Sequence, residues 1–326
     1  MKTPIVYTLI SSEKDYFLEE LWVSLYSLRQ FHPEVTVNVL VDEPTKKYVE
    51  RFPELCGMIT NIVVVPVPEN YNAKQRSRVI KTTVRNVIDG AYLFIDTDTV
   101  ICKPLDGIDN LTCDIAAVPD GHLPLSECMF PPTNSVNKIF KTDVSDSKYW
   151  FNSGVMFVAD NEQARRFYKR WNENWTYSCF EKGQSQDQPA LLATDKEFGY
   201  KISELPGIYN AQVAMSLKYF ADAAIVHWWH MSFIENQDYS PFFSLQIYKD
   251  VKTAKGLTAE IKELIMHCKQ SFVSPTMPVG KEHIYFLFSP AGKIFNRIYK
   301  EGGAASFLMN KCAAILEKIH KYTKKK

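Results

Sequence analysis

Positions 5–10 are mostly apolar and predict a short buried strand. Ser11, Ser12 and Asp15 follow with turn and capping chemistry. Leu18, Leu21, Trp22, Leu25 and Leu28 then recur at helical spacing, which predicts a helix over 17–31 that His32-Pro33 stops. Positions 35–41 alternate as a second strand closed by Asp42, and Thr45 is placed to cap a short helix through Phe52. A third strand is expected over 62–67, ended by Pro66 and Pro68, and a basic helix over 76–88. Asp89-Gly90 turns the chain into the next apolar run. This alternation of strand and helix is the pattern of a parallel sheet covered by helices on its faces.

The stretch 92–101, Tyr-Leu-Phe-Ile-Asp-Thr-Asp-Thr-Val-Ile, breaks the pattern at its centre. Four residues suited to a buried strand run into Asp96 and Asp98. An ionised carboxylate leaves water at a cost of several kcal/mol unless it is paired or binds a metal. Two of them at a strand's carboxyl end call for a cation, and hard oxygen ligands suit Mg²⁺ or Mn²⁺. Open α/β sheets also bind their ligands beyond the carboxyl ends of the strands. A divalent ion carrying a phosphorylated substrate satisfies both conditions. The plainer alternative is that Asp96 begins a turn and Asp98 caps it.

Beyond residue 101 the order changes. A strand is expected over 115–118, then a long polar loop over 119–148, then a strand over 149–158 opened by Asn152 and Gly154. An amphipathic helix follows over 161–175, and Gln186-Asp187-Gln188-Pro189 opens another through Leu192. Short strands are expected over 202–205 and 224–227, with Trp228, Trp229 and His230 after the second. From residue 260 the tail reads as helical, with Gly302-Gly303 as a hinge. Phe307, Leu308, Ala314, Ile315 and Ile319 lie at helical spacing among Lys311, Lys318, Lys321 and Lys324 to Lys326. Such a basic amphipathic helix suits an anionic membrane surface, and equally a packed helix with a solvated lysine end. The expected division is a domain over 1–235 and a mostly helical extension over 236–326 with a basic tail.

Composition narrows the classes. With 46% hydrophobic and 23% charged residues, the 326-residue chain has ample material for a core. A net charge of +1 gives no general attraction to nucleic acid, and no nucleic-acid partner is expected. The seven cysteines are scattered, without a C-x-x-C pair, which argues against a disulfide framework or zinc cluster and suits a reducing cytosol. No signal peptide and no bilayer-spanning run is expected. A cytoplasmic place is expected, peripheral at the inner face of the plasma membrane where the basic helix takes the membrane-surface alternative.

Taken in order, Asp96-Thr97-Asp98, Phe151-Asn-Ser-Gly-Val155, Gln186-Asp187-Gln188 and a strand ending in His227 resemble the nucleotide-sugar glycosyltransferases of the GT-A fold. The set is most similar to family 8, the retaining galactosyl- and glucosyltransferases, over roughly residues 3–230. The resemblance implies an α/β fold with a mixed, mainly parallel sheet flanked by helices. It implies transfer of a hexose from a UDP-sugar donor to a hydroxyl of a glycan or glycolipid acceptor, with Mn²⁺ or Mg²⁺ as cofactor.

By the same resemblance, His227 joins Asp96 and Asp98 as a metal ligand, with His230 three residues on as a competing candidate. Thr8, Ser11, Arg78, Asp96 and Thr97 hold the donor, and Asn152, Asp187 and Gln188 face the reacting sugar. Asp187 is also suited to cap the helix after it. Lys74, Lys81 and Arg85 are expected on a solvated helix face. The family continues from its histidine into a glycine and a Lys-Pro-Trp, whereas this chain reads His227-Trp-Trp-His230, so either the diphosphate is gripped from elsewhere, with His230 one candidate, or the donor pocket differs. His122, Glu127, Phe130, Phe140, Tyr149 and Trp150 are candidates for an acceptor wall, extended by Trp228 and Trp229.

Two other readings fit parts of the chain. Apolar residues followed by Asp96-Thr-Asp98-Thr also match phosphatases of the haloacid-dehalogenase type, with Asp96 as nucleophile, although that motif normally opens the fold. A GT-A protein that keeps its shape and binds carbohydrate without catalysis is the other.

Overall fold

The structure is a computed structural model and describes residues 1–128, 131–229, 239–273 and 286–323. Its elements begin with β1 (Ile5–Leu9), α1 (Phe17–Phe31), β2 (Val37–Val41), α2 (Glu43–Val49), α3 (Pro53–Cys56) and β3 (Asn61–Val64). α4 (Ala73–Val87), β4 (Tyr92–Ile95), β5 (Thr99–Ile101), β6 (Ile115–Pro119), α5 (Thr133–Phe140) and β7 (Phe151–Val158) follow. Then come α6 (Glu162–Lys182), α7 (Gln188–Glu197), β8 (Ile202–Glu204), β9 (Ala211–Gln212) and β10 (Ile225–His227). α8 (Gln246–Ala254), α9 (Ala259–Met266), α10 (Pro290–Glu301) and α11 (Gly303–Thr323) complete the chain.

Among the described residues the strands form a seven-stranded sheet of order β3-β2-β1-β4-β7-β6-β8 and a three-stranded sheet of order β5-β10-β9. In the large sheet only the β4–β7 and β6–β7 pairs are antiparallel. Strand alternation divides the core into two faces. Ile5, Tyr7, Leu9, Leu93 and Ile95 join α1, α8 and α9 on one face. Val6, Tyr92 and Phe94 join α4 and α6 on the other. Each such fully buried side chain contributes about 1.5–3 kcal/mol.

Several boundaries differ from expectation for local reasons. Asp42, not Thr45, caps α2: its side chain accepts from the Thr45 N–H. α4 begins before Arg76, because Asn72 and Gln75 form a reciprocal capping box. α6 runs on past Trp175 with Ser178 and Cys179 buried, and ends at Gly183, whose φ of 69° is glycine's region. The polar stretch 119–148 contains α5 and is not all loop; Val136 and Val144 bury into a small cluster with Leu192 and Ala193. Trp228 is fully buried and stacks on Phe242 at 4.8 Å, so it is core rather than acceptor wall. His230 and Phe130 lie outside the described residues.

The stretch 92–101 is two strands in two sheets. β4 ends at Ile95, and the chain passes through Asp96-Thr97-Asp98 into β5 of the small sheet. β10 pairs antiparallel with β5 in a register that sets His227 opposite Thr99. The two aspartates therefore occupy the crossing point between the sheets.

Candidate active site

Three backbone features converge on that crossing. The Asp96 N–H donates to the Gly154 carbonyl at 2.7 Å, and the Trp228 N–H donates to the Asp98 carbonyl at 2.8 Å. Between β6 and β7 the register jumps from Ala117–Met156 to Val118–Asn152. Such an irregularity re-aims side chains, and here it turns three consecutive residues of β7 into the site.

Each of the three has a different partner. Asn152 Nδ2 donates to Asp120 at 2.9 Å, while its Oδ1 accepts from the Gly154 N–H at 2.9 Å and from Asn210 at 3.0 Å. The Ser153 hydroxyl donates to Asp187 Oδ2 at 2.8 Å. At Gly154 a Cβ would meet His227 Cε1 at 2.4 Å, Asn152 Oδ1 at 2.8 Å and Asp96 Oδ2 at 3.0 Å. Only glycine lets these groups close around it.

Asp98 Oδ1 lies 3.0 Å from His227 Nε2, and single ligand atoms of Asp96, Asp98 and His227 all fall within 4.8 Å of one another. His227 Nδ1 lies 2.9 Å from Asn210 Oδ1. Asn210 uses its Nδ2 on Asn152, so its Oδ1 accepts from a protonated Nδ1. That leaves Nε2 as the atom able to bind a metal in the neutral ring. Burial acts to lower the His227 pKa, but Asp98 and Asp96 outweigh it and raise it. Burial raises the Asp96 carboxyl, against the pull of Lys81. Two carboxylates and an imidazole within reach of one point can hold one divalent cation.

Lys81 and Arg85 are not on a solvated face. Arg78, Lys81 and Arg85 share one side of α4 at i, i+3 and i+7, and that side faces the sheet. Lys81 Nζ donates to both oxygens of Asp96, at 2.9 and 3.0 Å, and lies 4.9 Å above the Phe94 ring. Arg85 is fully buried, donates to the carbonyls of Gly90 and Ile88, and lies over Tyr92. Lys74 alone of the three is exposed.

Asp187 stands at the N-cap of α7 but makes no side-chain cap there. Its Oδ1 lies 3.0 Å from Arg78 Nε and its Oδ2 3.8 Å from Lys81 Nζ. Burial alone would raise its pKa; Arg78, Lys81 and Ser153 reverse that and hold it at about 2. Gln188 donates to Asp120 at 3.1 Å.

A cleft of about 450 Å³ opens beside these groups, lined among others by Thr8, Ile10, Phe17, Glu20, Arg78 and Asp96-Thr97-Asp98. Thr97 donates to Glu20 at 3.1 Å. Ser11 is set apart: it is buried, its hydroxyl donates to Asp15 at 2.6 Å and accepts from the Leu18 N–H.

The structure thus brings together Thr8, Arg78, Asp96, Thr97, Asp98, Asn152, Asp187, Gln188 and His227, but not Ser11. Sequence reasoning missed Lys81, Asp120 and Asn210. Asp120 carried a readable signal, since it follows the apolar strand β6 as Asp96 follows β4. Asn210 had none, because its role depends on where β9 and β10 meet.

A family model described as glycosyl transferase family 8 matches residues 8–232. The chain belongs to glycosyl transferase family 8. It is a glycosyltransferase, built on a mixed, mainly parallel sheet flanked by helices. Membership displaces the phosphatase reading of Asp96. None of the curated proteins matches the sequence.

Solved structures similar to this glycosyltransferase include the apo form of mouse xyloside xylosyltransferase 1. That likeness has 12% identity and a TM-score of 0.47, covering 70% of this chain and 97% of the other. The glycosyltransferase GlyE of Streptococcus pneumoniae has 14% identity and a TM-score of 0.49, covering 85% and 67%. The galactosyltransferase LgtC, in complex with donor and acceptor sugar analogues, has 16% identity and a TM-score of 0.48, covering 85% and 98%. The family assignment rests on the sequence match and not on these distant likenesses.

Proposed function

We propose that this glycosyltransferase moves a hexose from a UDP-sugar to a hydroxyl of a glycan or glycolipid, retaining the anomeric configuration, with Mn²⁺ or Mg²⁺ as cofactor. The observation that carries the reading is the convergence of Asp96, Asp98 and His227 beside a cleft also walled by Arg78. When bound, the ion supplies Lewis-acid stabilisation of the departing diphosphate.

The chain's own groups divide the remaining work. Arg78 offers a fixed fork of donors to phosphate or sugar hydroxyls while Asp187 holds it from behind. Asp187 stays ionised at any working pH, so it supplies negative charge and not a proton. Its two oxygens face Arg78 and Ser153. That engagement favours same-face displacement, with the leaving phosphate taking the acceptor's proton, over attack by Asp187 on the sugar. Asn152 and Gln188 converge on Asp120 and set the floor for the donor sugar.

A second part of the proposal concerns α11. Phe307, Leu308, Ile315, Leu316 and Ile319 are each more than half exposed, and lysines are interspersed in the sequence around them. Large apolar side chains with basic neighbours suit the inner face of an anionic membrane, where a glycolipid acceptor would be presented. No described helix is long and apolar enough to cross a membrane.

A screen of UDP-sugars for Mn²⁺-dependent UDP release tests the donor, with Asp98→Asn as control. Release from one sugar, lost in the variant, is the expected result. Release unaffected by chelation would overturn the metal role.

A further inference from the structure

Cysteines 102 and 268 lie 166 positions apart in sequence, yet their sulfurs are 3.4 Å apart, within hydrogen-bonding distance. Cys102 directly follows β5, and its N–H donates to the Ala224 carbonyl at 2.7 Å, just before β10. Cys268 opens a short turn after α9 and is buried in the larger core with Ile265, Ile101 and Ile225. Both are free thiols, Cys102 half-buried and Cys268 buried. The adjacent Lys269 reaches back to the carbonyls of Ala221 and Ala223, at 3.0 and 2.9 Å. The strand that follows Asp98 and the segment after α9 are thus already held side by side.

We propose that Cys102 and Cys268 are a redox modification site: a low-molecular-weight disulfide such as oxidised glutathione converts them to an intramolecular disulfide. The half-buried Cys102 thiolate attacks one glutathione sulfur, forming a mixed disulfide and releasing one glutathione thiolate. Cys268 loses its proton and its sulfur displaces the second glutathione. The two protein thiols are oxidised, and one oxidised glutathione becomes two reduced ones. The roles follow from the pair itself. The hydrogen bond from Cys268, with Lys269 and Lys103 nearby, holds Cys102 below the usual thiol range despite burial. The same hydrogen bond and burial push Cys268 well up.

The bond would staple the segment after α9 to the small sheet that carries His227. It closes a loop of more than 150 residues, so its effect on the unfolded chain is large.

The experiment takes the full chain through oxidised glutathione at increasing ratios to reduced glutathione, blocks free thiols by alkylation and maps disulfides by mass spectrometry. A Cys102–Cys268 linked peptide is expected, with thermal unfolding raised by about 5 °C or more and returned by dithiothreitol. Cys102→Ser and Cys268→Ser should each lose both the link and the rise. Persistent glutathione on Cys102, full alkylation of both cysteines, or linkage to other cysteines overturns the proposal. Wild-type mapping decides the matter even if a variant folds poorly, and it does not depend on the donor or the metal.

Discussion

Lys81 Nζ sits astride the carboxylate of Asp96, 2.9 Å from one oxygen and 3.0 Å from the other. A lysine from α4 thus faces the first residue of the aspartate pair. Lys81 is almost wholly buried, so removing it strands a carboxylate that burial already disfavours. Lys81→Met should lower stability by about 2–3 kcal/mol in chelator, a part of what breaking a buried pair costs. Added Mn²⁺ should recover some of it, because the ion replaces the lost positive charge. Urea denaturation with and without Mn²⁺ reads both numbers, and equal losses in the two conditions would count against the pairing.

Asp187→Asn should cut UDP-sugar turnover by about 100-fold or more, since Arg78 then loses the partner that aims it. The same carboxylate shapes acid stability. Its folded pKa of about 2 lies below the ordinary 3.8. A depressed carboxylate stabilises the fold above the unfolded pKa, and that contribution is lost as pH falls from about 4 towards 2. It amounts to about 2 kcal/mol. Wild type should lose more stability than Asp187→Asn across that window when both are followed by circular dichroism.

Gly154→Ala tests how closely the site is packed. The added methyl would fall 2.4 Å from His227 and 3.0 Å from Asp96. The fold should survive, because the clash is with side chains. Mn²⁺ affinity by calorimetry should drop by about 10-fold or more and activity with it. Unchanged metal binding would mean that the three ligands do not close around this position.

Membrane contact is open to direct measurement. The full chain should sediment with phosphatidylglycerol vesicles and much less with phosphatidylcholine, with binding reduced by salt. Replacing Phe307 and Leu308 with Ser should weaken it, since both are exposed on α11. Equal behaviour on the two lipids, or no loss in the variant, would remove α11 from that role.

Much of this protein can be read in its residues taken one after another. Apolar runs and their periods predict the strands and the main helices, because burial of a repeating face needs a repeating sequence. Asp96 and Asp98 stand out, since two carboxylates after a buried strand demand a physical answer. Arg78, Asp187 and His227 enter only through the order of motifs.

Tertiary structure alone decided how those residues meet. The run 92–101 shows its break at the two aspartates, but only the pairing of β5 with β10 puts its second half in another sheet and sets His227 beside Asp98. Lys81 and Arg85 look like solvated cations, because a basic helix face and a buried polar face have the same spacing; the Asp96 carboxylate under Lys81 and the Gly90 and Ile88 carbonyls under Arg85 make the difference. Cys102 and Cys268, far apart along the chain, become neighbours for the same reason. Periodicity reports which face is buried, while the identity of the group waiting on the other side belongs to distant parts of the chain.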